Sequence, residues 1–144
     1  MKSIYKSFIL LTVVFMWTTV LKAQTMQTNT TGQKVVIQLS SNDTLVHKSL
    51  IRQLNNILNA FETIRIEVVV HGPGIEMMMK NARYENNLQL LHKKGIKFLV
   101  CQNTMKEKQI KAADLNSFTE VIPAGIAHII IRQSEGWSYI KAGF

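Results

Sequence analysis

Three short runs of apolar, β-branched residues alternate with stretches of helical spacing, and this alternation limits the folds open to the 144-residue chain. The runs are Lys34–Leu39 (KVVIQL), Ile64–Val70 (IRIEVVV) and Ile96–Cys101 (IKFLVC). Such nearly continuous apolar strands are typical of a parallel sheet that is covered on both faces. Between the first two runs, an apolar stripe predicts an amphipathic helix that packs on the sheet. The stripe consists of Leu50, Leu54, Ile57 and Phe61.

The second half of the chain continues the alternation. It predicts helices over Asn81–Lys94, from about Thr104 to Ala113 and over Ala124–Ser134, and strands over Phe118–Ile122 and Trp137–Lys141. In the last helix, Ile126, Ile129 and Ile130 are expected to face inward. The pattern predicts an α/β fold, a three-layer α/β/α sandwich with a largely parallel five-stranded sheet. Several strand orders share this alternation, so the sequence leaves the order open.

The N-terminus has the anatomy of a secretory signal peptide. Lys2 and Lys6 precede an apolar run, Ile9–Leu21, which is short for a transmembrane helix, and Ala23 supplies a small residue at the cut. We therefore predict a signal peptide over residues 1–23, a flexible polar leader over 24–33 and one domain over 34–144. The protein is expected to be exported, periplasmic or secreted, and free of the membrane after cleavage. An uncleaved membrane anchor is the alternative.

The basic charge of the chain is modest once the signal peptide is removed. Cleavage after Ala23 removes three lysines and no acid, so the formal net charge falls from +8 to +5. A charge of this size, spread over one domain, does not predict a nucleic-acid partner. The single cysteine excludes an internal disulfide and leaves a free thiol or one half of an intermolecular bond.

That cysteine, Cys101, ends the third apolar run. Ligands of α/β proteins usually bind at the carboxyl ends of strands. Asn103 and Thr104 are good helix N-caps, with Glu107 at capping-box spacing, so a helix N-terminus is expected near the thiol. One helix terminus stabilises an anion by about 0.3–1 kcal/mol, less than one pKa unit, so a strongly ionised thiolate needs a second group. Alternatively, Cys101 is buried and only fills space.

His71 is the candidate for the second group, because it also follows a strand. If the two strands are neighbours, about 4.8 Å separates them, whereas one intervening strand would make the gap about 10 Å. The alternative is a structural hydrogen bond before the turn Gly72-Pro73-Gly74. The remaining histidines lie on predicted helices, and their spacing matches no metal motif. They are His47, His92 and His128.

Met77, Met78 and Met79 could form a soft copper(I) site together with Cys101. Consecutive helical residues point in different directions, so packing in the core or at a subunit interface is the favoured interpretation. The chain carries no phosphate loop, paired-acid constellation or Ser/His/Asp grouping. The sequence therefore predicts no cofactor and no metal, and it leaves open whether the protein is an enzyme.

Three elements taken together resemble the DsrE/DsrF-like family, and most of all its small exported branch. They are Cys101-x-Asn103-Thr104-Met105, Val121-Ile-Pro-Ala-Gly125 and Gln133-Ser-Glu-Gly-Trp-Ser-Tyr-Ile-Lys141, within a resemblance that covers roughly Lys34 to Phe144. The resemblance implies an α/β/α fold and a homo-oligomer, often a trimer or hexamer. In some relatives a cysteine carries sulfur as a persulfide, and by position that residue is Cys101. Export sets this chain apart from the cytoplasmic sulfur-relay members.

Three functions remain as hypotheses. The first is an exported sulfur (persulfide) carrier or thiol-exchange protein, with Cys101 reactive, His71 in support, Asn103 and Thr104 at the helix N-terminus, and a sulfur donor or acceptor protein as partner. The second is a non-catalytic homo-oligomeric module that binds a small ligand or a protein. The third is a soft-metal binder.

Overall fold

The structure, a computed structural model, describes residues 32–143. The predicted signal peptide, and all of the leader except Gly32 and Gln33, lie outside the described residues. Within this part of the chain, no helix combines the length and the apolar character needed to cross a membrane.

Strands and helices alternate along the described chain. In order they are β1 (Gln33–Leu39), α1 (Thr44–Ala60), β2 (Ile64–Val70), a 3-10 helix (Gly72–Met78), α2 (Glu85–Lys93), β3 (Lys97–Cys101), α3 (Gln102–Glu107), a 3-10 turn (Ala112–Asp114), β4 (Thr119–Ile122), α4 (Gly125–Ser134) and β5 (Ser138–Lys141). The predicted α/β fold is confirmed.

The strands form one parallel sheet in the order β4-β3-β2-β1-β5. This order, which the sequence left open, makes β2 and β3 neighbours, with Val70 opposite Val100. His71 and Cys101 therefore lie at the same end of the sheet, at the carboxyl ends of two adjacent strands. β4 flanks β3 on its other side, with Ile122 opposite Cys101.

The two faces of the sheet are buried to different extents. One face packs against α1, α2 and the 3-10 helix in the larger core. Its fully buried members include Ile37, Leu39, Leu50, Leu54, Val68 and Phe98. The other face carries a smaller core, which α4 covers. Its members are Val36, Val69, Leu99, Ile129 and Trp137.

Helix α4 differs from its sequence-based prediction. Ile129 is buried, but Ile126 and Ile130 are 50% and 61% exposed, so the expectation that both face inward was wrong. The inner side of the helix instead presents Gly125, Ile129 and two polar side chains, His128 and Arg132. These polar residues turn inward because a carboxylate lies beneath them.

That carboxylate belongs to Glu67, which is buried within β2. His128 Nε2 lies 2.7 Å from Glu67 Oε2, and Arg132 donates to both oxygens at 2.8 and 2.9 Å. Burial by itself raises the pKa of Glu67, but the hydrogen bonds from Arg132 and His128 outweigh it and lower the pKa below the ordinary value. The Arg132 guanidinium also lies 4.9 Å from the ring centre of Trp137. A satisfied ion pair thus anchors the last turns of α4 to the sheet.

Two predicted helices are shorter than expected because left-handed residues interrupt them. Asn81 has φ 61°, and α2 begins only at Glu85. Gln109 has φ 55°, and α3 ends at Glu107 rather than near Ala113. The start of α3 also differs, because the helix follows β3 directly and Cys101 itself is the N-cap.

The prediction that Asn103 or Thr104 caps this helix was therefore wrong, since both residues lie inside its first turn. The methionine run is part of the larger core: Met77 and Met78 are 2% and 0% exposed, and Met79 packs against them in part. This confirms core packing for Met77 and Met78.

Candidate functional site

Cys101 is the last residue of β3 and a free, buried thiol, with 6% of its surface exposed. Alternation along β3 places it on the same face as Leu99, beneath the start of α4. The larger core, with Met77 and Met78, lies on the opposite face. The thiol and those thioethers therefore do not form one soft-metal site.

The backbone of Gly125 makes the closest polar contact with the thiol. Its N–H donates to Cys101 Sγ at 3.2 Å. The contact forms because β4 runs beside β3, and Pro123 and Ala124 then carry the chain across the end of β3. A β-carbon on Gly125 would lie 3.3 Å from Cys101 Cβ and 3.2 Å from Val69 Cγ1. A side chain at Gly125 would therefore require Cys101 or Val69 to move by a few tenths of an ångström.

Thr104 links the thiol to the turn that follows β2. Its buried hydroxyl oxygen accepts a hydrogen bond from Gly72 N–H at 2.9 Å. The hydroxyl hydrogen therefore remains for the sulfur of Cys101. The backbone N–H groups of Asn103 and Thr104, in the first turn of α3, are also directed at the sulfur. Both predicted binding residues thus lie next to the thiol, through backbone groups and one hydroxyl.

These donors act against burial in setting the ionisation of Cys101. Burial raises the pKa of the thiol, whereas hydrogen bonds from Gly125 N–H, from Thr104 and from Asn103 N–H lower it. The donors prevail, so the net pKa lies below the ordinary value. The site thus stabilises a sulfur anion with neutral dipoles, which is how backbone donors commonly hold anions in enzymes.

His71 lies beside Cys101 but makes its hydrogen bonds elsewhere. A β-carbon added at Gly125 would lie 3.5 Å from His71 Cβ, and it would also lie close to Cys101 Cβ. His71 Nε2 lies 2.7 Å from Gln38 Nε2, and because an amide nitrogen only donates, the imidazole accepts. Gln38 Oε1 in turn accepts from the hydroxyl of Tyr139. Burial lowers the pKa of His71, so the ring is neutral at neutral pH.

A neutral imidazole carries no positive charge with which to stabilise the thiolate. Support of Cys101 by His71 therefore stays a prediction. Gln38 and Tyr139, which orient the ring, were missed in the sequence. The available signal was Gln38 itself, a polar residue in the apolar run KVVIQL, one position before its end.

The other histidines are engaged in the fold. His47 Nε2 lies 2.8 Å from the Ser41 carbonyl oxygen, and His92 Nδ1 lies 3.2 Å from that of Ile96. His128 binds Glu67. Across residues 32–143, no three side chains of the His, Cys, Asp or Glu types converge as metal ligands would.

Gly125→Ala tests the close approach over the thiol. The added methyl group must push Cys101 or Val69 away, so we expect a loss of about 1–3 kcal/mol in the free energy of unfolding. The apparent pKa of Cys101 should rise, because its main donor moves off. Urea denaturation and the pH dependence of alkylation measure the two effects.

Gln133→Ala, at an exposed position on the same helix, is the control and should leave both quantities unchanged. If Gly125→Ala stabilises the protein through helix propensity and leaves the thiol pKa unaltered, the close approach is not a constraint.

Comparison with known proteins assigns the fold to a family. The sequence pattern of the DsrE/DsrF-like family matches residues 33–142. Protein MTH1491 from Methanobacterium thermoautotrophicum, solved as a protein of unknown function, is similar at 30% identity and a TM-score of 0.74, over 76% of this chain and 98% of that one. Conserved protein BT1422 from Bacteroides thetaiotaomicron, also of unknown function, shares the fold at 13% identity and a TM-score of 0.57, over 76% and 94%.

Among proteins with curated descriptions, none matches this chain. The match to the family pattern extends from the first strand to the residue after the last one, and it includes Cys101, Gly125 and Trp137. The chain therefore belongs to the DsrE/DsrF-like family.

Proposed function

We propose that this protein is an exported sulfur carrier, or thiol-exchange protein, that works through Cys101. The single observation that carries the proposal is the set of hydrogen-bond donors around Sγ: the Gly125 N–H at 3.2 Å, the Thr104 hydroxyl and the first turn of α3. A cysteine that only fills space does not require donors. Membership of the DsrE/DsrF-like family supports a sulfur-relay type of function.

The transfer step needs no redox partner. The thiolate of Cys101 attacks the outer sulfur of a donor persulfide, R–S–SH. The S–S bond of the donor breaks, R–S⁻ leaves, and Cys101 becomes a persulfide. The proton on the transferred sulfur passes to the leaving R–S⁻ or to solvent, which leaves the terminal sulfur of the Cys101 persulfide as an anion. Transfer to an acceptor thiolate reverses these bond changes.

A non-catalytic binding module is the alternative, and the burial of Cys101 favours it. Only 6% of the residue is exposed, which limits access to the sulfur. In this alternative, the donors around Sγ would serve packing and the strand ends would hold a ligand. Reactivity of the thiol in the folded protein distinguishes the two functions.

The proposed sulfur transfer predicts how Cys101 itself should react. In the folded protein, Cys101 should alkylate faster at neutral pH than a simple model thiol, because its pKa lies below the ordinary value. Incubation with a small persulfide should add one sulfur atom, which intact mass spectrometry detects. Cys101→Ser should abolish both reactions and leave the circular dichroism unchanged. Reaction only in denaturant would remove the sulfur-carrier function and leave the binding module.

The proposal also predicts how the protonation of His71 should affect the thiol. Burial lowers the pKa of His71 from its ordinary 6.5, so the ring becomes positively charged only at more acidic pH. Once charged, it should stabilise the neighbouring thiolate and produce an additional inflection, below pH 6.5, in the rate of reaction with a pyridyl disulfide. His71→Ala should lack this inflection, whereas the control His92→Ala should keep it. Superimposable profiles for His71→Ala and the parent would make His71 a structural residue only.

The proposal includes a homo-oligomer, a trimer or hexamer, and a sulfur donor or acceptor protein as partner. The outer side of α4 supports self-association, because three isoleucines there lie open to solvent. Ile126, Ile130 and Ile131 are 50%, 61% and 53% exposed, and Val121 at the nearby edge strand is 43% exposed. Exposed apolar patches of this kind often mark interaction sites.

Ile130→Glu should therefore dissociate the oligomer, and light scattering on protein recovered from an exporting cell measures this. Leu90→Glu is the matched control, since Leu90 is 59% exposed on α2, in the opposite layer. Intact mass of the same sample checks the proposed export, which predicts a chain starting near Gln24. A monomeric parent, or equal dissociation by both variants, would contradict this interface.

A further inference from the structure

We propose a second site, at the opposite end of the sheet from Cys101, that binds a small organic or inorganic anion with two or more acidic oxygens. A cavity of about 320 Å³ opens at the amino ends of β1, β2 and β3, below the last turn of α4. We call it the amino-end cavity. Along β3, four residue steps separate its wall at Lys97 from Cys101, about 13 Å. The volume suits a small ligand.

Three basic side chains from adjacent strands line the amino-end cavity: Lys34, Arg65 and Lys97. In the β1–β2 register, Lys34 lies directly opposite Arg65. Like charges at directly opposite positions of a sheet repel and destabilise the pairing. A bound anion between Lys34 and Arg65 would convert this repulsion into attraction.

The lining holds two acids, Glu67 and Glu135, against four basic side chains, so its formal net charge is +2. Glu67 is held by Arg132 and His128, and Glu135 accepts from Arg132 Nη1 at 2.7 Å. In the part of the chain that the structure describes, neither Lys34 nor Arg65 forms a salt bridge. The positive charge on β1 and β2 is therefore available to a ligand.

Lys97 adds a third cation on β3. Its ammonium lies 3.6 Å from Glu120, and both side chains are more than half exposed. An exposed pair of this kind contributes about 0–1 kcal/mol, so an anion can displace it at little cost. Lys97 lies opposite Glu67 in the β2–β3 register, and Glu67 is two residues beyond Arg65 along β2. A ligand with two separated acidic groups could contact both places.

The cavity is partly ordered before any ligand binds. The Arg65 guanidinium lies 5.6 Å from the ring centre of Trp137, which is buried. Arg132 lies over the same ring, in the last turn of α4, where its charge offsets the partial negative charge of the helix C-terminus. Arg65 is thus held at the cavity wall, with a planar fork of donors that matches a carboxylate or phosphate.

Fluorescence titration tests the site, because Trp137 is the only tryptophan in a chain that starts at Gln24. Inorganic phosphate and citrate are the probes, added at constant ionic strength maintained with chloride. Either probe should change the emission of Trp137 with saturation. Citrate, which has several carboxylates, should bind more tightly than phosphate. An unchanged emission with both probes throughout the millimolar range would overturn the proposal.

Variants locate the binding. The double change Lys34→Gln and Arg65→Gln should weaken citrate binding by about tenfold or more. Lys106→Gln with Lys108→Gln removes the same charge from exposed positions at the other end of the sheet and should leave the affinity within about twofold. Equal weakening by both pairs would mean diffuse attraction rather than a site.

Two further samples keep the test independent of folding and of Cys101. Lys34→Gln alone retains the Arg65 contact with Trp137, and it should still weaken citrate binding if the double variant fails to fold. Cys101→Ser should bind citrate as the parent does. If the parent protein binds citrate but takes up no sulfur at Cys101, the proposed function is rejected and this site still stands.

Discussion

The close approach of Gly125 to the ends of β2 and β3 is the contact on which the architecture of the thiol site depends. It brings a backbone N–H to 3.2 Å from Cys101 Sγ and places His71 and Cys101 around the same point. The approach is possible because β4 lies next to β3 and a short Pro-Ala link returns the chain over the sheet. A side chain at Gly125 would lie inside contact distance of Val69 and Cys101.

The thiol illustrates a balance between desolvation and hydrogen bonding. Burial raises the pKa of Cys101, and hydrogen bonds from three neighbouring residues lower it further than burial raises it. Because the donors are dipoles rather than charges, the anion is stabilised without a buried counter-ion, and His71 can remain neutral.

Helix α4 borders three different environments along its length and around its circumference. Its first residue meets the thiol, its last turn carries Arg132 to the buried carboxylate of Glu67, and its outer side exposes Ile126 and Ile130. Hydrophobic periodicity alone assigned those isoleucines to the interior, because a pattern of apolar residues does not reveal which polar residues have a buried partner. The partner, Glu67, lies in a different element, 65 positions from Arg132.

The sequence by itself determined the alternation of strands and helices, the parallel sheet, and the position of Cys101 at the end of a strand, since these follow from local periodicity and turn residues. Only the tertiary structure decided the strand order, the neighbourhood of His71 and Cys101, the start of α3 at Cys101 rather than at a Thr104 cap, and the inward face of α4. The physical reason is the distance along the chain between the residues that interact. Periodicity records which residues prefer burial, whereas the partners of a buried thiol or carboxylate come from distant parts of the chain and are fixed only when the layers pack.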